Sequence, residues 1–421
     1  MNILQIIHSF PPESMTGSEV YTYNLAKGLA KNNKVSVFYR VNDPQRPEYE
    51  IIKGRYDGLN VYKINNTLKG YRSIEKIYKN QKIEEIFSQV LDEVRPDLVH
   101  IQHLLFLSTG IVEEIKKRGI PIVFTLHDYW LVCPRGQLLK YNLKPCKEPL
   151  KANCLYCLGR ALSFKNLAKR LLGFRFGRRI FKRRHFALQD IEPNVDLFIA
   201  PSEFLRRKFI EFGLPPEKIV HLDNGMDLSL FDDIKKTESD QIRFGFIGTL
   251  IPSKGAHVLL EAFRKMNGKA TLKIYGHSPV NNGLFDYARK LKRMAKANNI
   301  SFMGTFDNKE VARVFKDIDV LVFPSLWEEN SPMILREAAL SRTPVIASRI
   351  GGAEELVQDY QNGVLFEPGN KTALYEKMNF LIEHPQERQA MGCAAPVRVK
   401  HIKENCSQLK EIYERLMDAK N

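Results

Sequence analysis

No run of about 18 apolar residues occurs in this 421-residue chain, so no segment reads as a membrane-spanning helix. The start, MNILQIIHSF, lacks the basic, long-apolar and small-residue pattern of a secretory signal, and the expected compartment is the cytoplasm. Cysteine is scarce. Six in a cytosolic chain of this size argue against a disulfide framework and point to buried thiols or a metal site. No short repeat recurs. Acid is missing from one place: between Lys151 and Gln189 there are eleven Lys or Arg and no Asp or Glu, against a net charge of +16 for the whole chain. The basicity is therefore local, which favours one electrostatic contact surface over a generally nucleic-acid-like protein.

What is present fits two α/β domains. The length allows two cores, and a 44% hydrophobic share agrees with that. Strands are expected at Asn2 to His8, Lys34 to Tyr39, Asn60 to Ile64, Asp97 to Ile101, Pro121 to Leu126, Asp196 to Ala200 and Lys218 to Leu222, with helices at Ser18 to Ala30, Ser73 to Val94 and Ser108 to Arg118. Strand followed by helix at these spacings implies a parallel sheet with right-handed crossovers. A polar run, Asp232 to Asp240, reads as a linker. A second series then begins, with strands at Arg243 to Gly248, Ala270 to Gly276, Ile300 to Met303 and Val320 to Phe323.

The stretch LVFPSLWEENSPMILREAALSRTPVIASRIGG, Leu321 to Gly352, organises that second half. The strand is stopped by Pro324. Ser331 reads as the N-cap of a helix with Pro332 at its first position, where a missing N–H costs nothing. Met333, Ile334, Ala338 and Leu340 carry the helix inward, and Thr343 to Ser348 forms the next strand. A strand-to-helix turn of this kind offers N–H groups and a positive dipole end to a phosphate. Glu329 and Glu337 stand eight positions apart around it. Carboxylates accept paired hydrogen bonds from vicinal hydroxyls, so a ribose and a sugar ring could lie on either side of a bound diphosphate. The same two acids also read as a complement to the helix dipole plus one solvated glutamate.

The run Glu329-Asn-Ser-Pro-Met-Ile-Leu-Arg-Glu337, followed by Ala-Ala-Leu-Ser-Arg-Thr-Pro-Val-Ile-Ala-Ser and Gly351-Gly352, resembles the donor motif of glycosyltransferase family 4. These are retaining enzymes of the GT-B fold, two Rossmann-like parallel-sheet domains facing each other across a cleft. The resemblance extends over nearly the whole chain. It implies residues 1–231 as the acceptor-side domain, 232–240 as linker, 241–395 as the nucleotide-sugar domain, and 396–421 as a helix crossing back to the first domain. Asn224 to Asp227 resembles the interdomain turn.

By the same resemblance, Glu337 would bind the ribose hydroxyls of a UDP- or GDP-sugar and Glu329 a hydroxyl of the transferred sugar. Lys254 would neutralise the diphosphate, with Gly17 N–H and the helix start at Ser331, Met333 and Ile334 beside it. Met303, with Phe302 and Gly304, would hold the base. His127, at the end of FTLHD, resembles the histidine that reaches the sugar, and Asp128 is assigned to fixing the loop. Two positions depart from the family pattern: Thr16 replaces the first glycine of a pair, and Thr249 stands where an arginine is usual. Phosphate charge then falls to Lys254, helix dipoles and Arg135. No side chain stands out as a nucleophile, and the implied chemistry needs no metal or cofactor. The leaving phosphate would accept the acceptor's proton.

Four cysteines, Cys133, Cys146, Cys154 and Cys157, lie in YWLVCPRGQLLKYNLKPCKEPLKANCLYCLGR, which resembles a cysteine-containing subset of these enzymes. They read either as a structural four-thiolate zinc site or as free thiols. The basic segment carries Phe164, Leu167, Leu171, Phe176 and Ile180 at helical spacing, which fits an anionic membrane surface and a peripheral location, or else a solvated basic face. The expected acceptor is a glycan or lipid-linked sugar of cell-surface polysaccharide or glycolipid synthesis, with no nucleic acid. Two rivals stand beside this reading: a GT-B nucleotide-sugar epimerase, and a nonenzymatic nucleic-acid-binding module built on the cysteines and basic residues.

Overall fold

The computed structural model describes residues 1–69, 78–147, 154, 157, 189–232, 234–266, 268–278, 285–295, 299–394 and 399–419. The chain divides into two units, one of Met1–Gly136, Glu148–Met226 and Lys400–Asn421, the other of Gln137–Lys147 and Asp227–Val399.

The first unit holds an eight-stranded sheet. In chain order its strands are β1 (Asn2–Ile7), β2 (Lys34–Val41), β3 (Ile51–Tyr56), β4 (Leu59–Asn65), β5 (Leu98–Ile101), β6 (Ile122–Thr125), β7 (Leu197–Ala200) and β8 (Ile219–His221), and in space they run β3-β4-β2-β1-β5-β6-β7-β8. β1 lies in the middle, and Ile3, Leu4, Ile6 and Ile7 are wholly buried because helices cover both faces of a parallel sheet. The expected all-parallel pattern fails at one edge. β3 pairs antiparallel to β4, with Tyr56 opposite Leu59. Asp57 and Gly58 between them have φ of 46° and 82°, the left-handed pair that a two-residue hairpin requires.

The second unit holds β9 (Ile242–Ile247), β10 (Ala270–Tyr275), β11 (Ile300–Gly304), β12 (Val320–Phe323), β13 (Val345–Ser348) and β14 (Gly363–Phe366), in the order β11-β10-β9-β12-β13-β14 and all parallel. Side chains alternate between faces along a strand. Val320, Val322 and Ile346 accordingly join the core built on Phe244, Phe246 and Leu259, while Leu321, Phe323, Val345 and Ala347 join a second core with Leu335 and Ala338. The helix Met333–Leu340 is thus clamped to one face of its own sheet.

Three expectations are corrected. Pro332, with φ −66° and ψ 109°, occupies the N-cap position in place of Ser331, and the helix begins at Met333. The boundary between units falls after Met226 and not within 232–240; Lys236 Nζ donates to the carbonyls of Phe315 at 2.8 Å and Ile318 at 2.7 Å, which ties that polar run to the second unit. β14 was not anticipated. The helix expected from Ser73 is described from Gln81, where Asn80 caps it by accepting from Lys82 N at 3.2 Å. The basic helices of 158–188 lie outside the described residues.

The helix Ile402–Asp418 belongs to the first unit although it follows the second in sequence. It is keyed in by polar contacts. Tyr21 Oη donates to Asn405 Oδ1 at 3.0 Å, Asn405 Nδ2 donates to Asp223 O at 2.9 Å, and His100 Nδ1 meets Tyr413 Oη at 2.6 Å. Gly225 makes room for this helix, since a Cβ there would lie 2.8 Å from Ile402 Cα.

Candidate active site

In the second unit the loops after β9 and β12 meet. Lys254 closes the short 3-10 turn Pro252–Lys254, and Gly255 follows with φ of 72°. A Cβ on Gly255 would lie 1.8 Å from Pro324 O, so glycine is what lets the two loops touch. Lys254 Nζ reaches both carboxylate oxygens of Glu329, at 2.8 and 2.7 Å, and Ser325 Oγ donates to Glu329 Oε1 at 2.9 Å. Glu329 is buried. Its backbone is held from below by the glycine pair: Gly352 N donates to Glu329 O at 2.7 Å, and a Cβ on Gly352 would lie 1.7 Å from Asn330 O.

Glu337 lies in the helix Met333–Leu340 and is also buried; burial pushes its carboxyl up to about 7. Ser331 Oγ accepts from Arg336 Nη2 at 3.0 Å, so its hydroxyl serves this helix by a side-chain bond and not as a cap. Met333 and Ile334 are half-buried in the first turn. Met303 is 46% exposed at the end of β11, and Phe302 packs partly against the core. Thr249 O accepts from Ile251 N at 2.9 Å.

In the first unit the polar groups gather just past the carboxyl ends of β1, β5 and β6. His127 is half-buried, and its Nε2 lies 2.7 Å from Gln102 Oε1. A carbonyl oxygen only accepts, so Nε2 carries the proton and Nδ1 is left as an acceptor. Burial, then His103, pushes the pKa of His127 down to about 3, and the ring is neutral at ordinary pH. Tyr21 packs edge-on against it, ring centroids 5.7 Å apart. Asp128 Oδ1 accepts from Trp130 N at 2.7 Å and lies 3.4 Å from His103 Nε2.

Sequence reasoning missed the other half of this network. Glu19, in the first turn of the helix Gly17–Leu29, accepts from Ser14 Oγ at 3.0 Å, from Ser18 Oγ at 2.8 Å and from Thr16 Oγ1, and pairs with His8 Nε2 at 3.3 Å. Burial alone would raise its pKa, but His8 and the hydroxyls outweigh that and hold the carboxyl well below the usual range. His8 in turn stacks edge-on with His103, centroids 4.8 Å apart. Gly17 opens the helix, with Thr16 at its N-cap, so a carboxylate already complements that dipole. The Thr-x-x-Glu spacing of Thr16 and Glu19 was the available signal.

The six cysteines are free thiols. None is in a disulfide, and among the described residues no three His, Cys, Asp or Glu side chains are grouped to hold a metal ion. Cys146 falls in the second unit and Cys133, Cys154 and Cys157 in the first. Arg135 Nη1 donates to Cys157 Sγ at 3.7 Å.

Residues 15–230 match the family model described as Glycosyltransferase Family 4, and residues 230–398 the one described as Glycosyl transferases group 1. An uncharacterized 42.6 kDa protein in the cps region of Klebsiella pneumoniae is 26% identical over 369 residues, 85% of this chain and 87% of that protein. D-inositol 3-phosphate glycosyltransferase of Corynebacterium diphtheriae is 24% identical over 400 residues, 90% and 84% of the two chains. Among solved structures, sucrose-phosphate synthase from Thermosynechococcus elongatus aligns with a TM-score of 0.74 at 18% identity over 99% of both chains. Anabaena HepE in complex with UDP and glucose aligns with a TM-score of 0.70 at 19% identity, over 98% of this chain and 99% of that one. The shared fold is GT-B.

Proposed function

Since the chain belongs to glycosyltransferase family 4, we propose that it is a retaining enzyme that moves a sugar from a nucleotide diphosphate to an acceptor hydroxyl. The observation that carries this reading is the meeting of Lys254 with Glu329 at the carboxyl ends of β9 and β12, with Glu337 buried in the following helix. A cation, an acid for a sugar hydroxyl and an acid for a ribose are the three recognition groups that a nucleotide sugar needs. Lys254 stabilises charge growing on the leaving phosphate, chemistry that requires no metal. His127, neutral and with Nδ1 as acceptor, is assigned to a sugar hydroxyl. The leaving phosphate takes the acceptor's proton. The epimerase and nucleic-acid readings gain nothing from this membership.

A thermal-shift screen against UDP-, GDP- and ADP-sugars tests the donor class. Glu337→Ala should weaken donor binding by about tenfold or more, while Glu329→Ala and His127→Ala chiefly lower kcat, since ribose contacts persist through the reaction and sugar contacts sharpen in the transition state. Normal steady-state kinetics in all three would remove the assignment.

The relative from a cps region and the basic run support an acceptor in cell-surface polysaccharide or glycolipid synthesis, met at an anionic bilayer. Among the described residues no helix is long and apolar enough to cross a membrane. Sedimentation with phosphatidylglycerol vesicles should fall with salt, and changing Arg178, Arg179, Arg183 and Arg184 to Glu should release the protein. Equal sedimentation of both forms would return the segment to a solvated face.

A further inference from the structure

Lys254 and Glu329 neutralise each other in the free protein, and we infer that this pair is exchanged when donor binds, which makes Glu329 a group that favours an intact nucleotide sugar over the nucleoside diphosphate left after transfer. The inference rests on the donor-site reading above.

The two partners differ in freedom. Glu329 has 8% of its side chain exposed, accepts from Ser325 Oγ at 2.9 Å, and has its backbone fixed over Gly351 and Gly352. Lys254 has 24% exposed and a four-carbon stem at the end of a loop. A diphosphate arriving at the site therefore draws the lysine to itself, and the carboxylate stays where it is.

What the carboxylate then meets depends on the ligand. Without Lys254, Glu329 keeps Ser325 as its side-chain donor in a nearly dry position, and a buried charge stripped of its partner is costly. A nucleotide sugar brings hydroxyl donors that restore the lost bonds. A nucleoside diphosphate has only its ribose hydroxyls, which fall to Glu337, and brings none to Glu329. The penalty falls on the product alone, so the same pair that shields Lys254 in the free protein helps the spent nucleotide to leave.

Calorimetric titration of the full-length protein with UDP, GDP and ADP and with the matching nucleotide glucoses tests this. Glu329→Gln keeps the shape and Ser325's acceptor but removes the ion pair. It should bind the preferred nucleoside diphosphate about tenfold or more tightly than wild type, while affinity for the intact sugar nucleotide changes by less than about threefold. Ser325→Ala should act in the opposite direction on the diphosphate, because its loss leaves Glu329 with no donor once Lys254 has moved. Lys254→Met should weaken both ligands. An equal gain for both ligands in Glu329→Gln would reduce the effect to simple removal of negative charge and overturn the inference, as would no gain at all. Failure of the donor-site reading looks different: no nucleotide or nucleotide sugar binds wild type or any variant, and both ideas fall together.

Discussion

Glu337 carries a prediction that can be read from pH alone. Its carboxyl is pushed from 4.5 up to about 7 by burial, so across that window the folded chain holds a proton that the unfolded chain has released. Stability contributed by this group is then present below the unfolded value and lost as pH rises toward 7. Glu337→Gln removes the titration, and at about pH 8 it should be more stable than the parent by on the order of 3 kcal/mol, with the two converging below about pH 4. Ribose hydroxyls donate to the ionised form, so nucleotide affinity should climb between about pH 5.5 and 8 in the parent and stay level in the variant. Denaturation and calorimetry at both ends of the range check the pair. A flat affinity profile in the parent would mean that Glu337 does not hold the ribose.

The loop from Pro324 to Pro332 depends on a seat made by another element. Gly351 has φ of 63°, and a Cβ on Gly352 would sit 1.7 Å from Asn330 O. Gly352→Ala must therefore push residues 328–330 away from the sheet, displacing Glu329 while leaving Leu335 and Ala338 in their core. A loss of stability of about 1–3 kcal/mol is expected together with a fall in kcat of tenfold or more. Unchanged turnover in this variant would mean that the glycine pair does not set the acid. The pair and the acids were legible in sequence because all lie in one continuous run whose residue types are dictated locally. β12 was legible for the same reason, being buried on both faces and stopped by Pro324. β3 was not read from the sequence, because a run containing Lys53, Gly54 and Arg55 lacks the apolar alternation that marks a strand, as suits an exposed edge. Nor was the polar network. Glu19 lies in the helix after β1, His8 just past the end of β1 and His103 just past the end of β5, and only the strand order brings them within reach of one another.

At the scale of the whole molecule, chain order and structural membership part company. The helix Ile402–Asp418 emerges from the second unit but stabilises the first. Its anchors are buried hydrogen bonds, not only apolar area. Asn405 and Tyr413 are wholly buried, and each satisfies a group that would otherwise be stranded: Tyr21 Oη by Asn405 and His100 Nδ1 by Tyr413. His100 also meets Thr125 Oγ1 at 2.7 Å, and burial drives its pKa down to about 3, so it cannot escape the loss by taking up a proton near neutral pH. Changing Asn405 to Leu and Tyr413 to Phe together should cost the first unit about 2–6 kcal/mol, the sum of the stranded groups. Hydrogen exchange is the measurement. Amides of β1, β5 and the helix Gly17–Leu29 should exchange faster, while those of β9, β12 and β13 keep their protection, even though the substituted helix is covalently joined to that second unit. Faster exchange confined to the second sheet would assign this helix to the wrong unit.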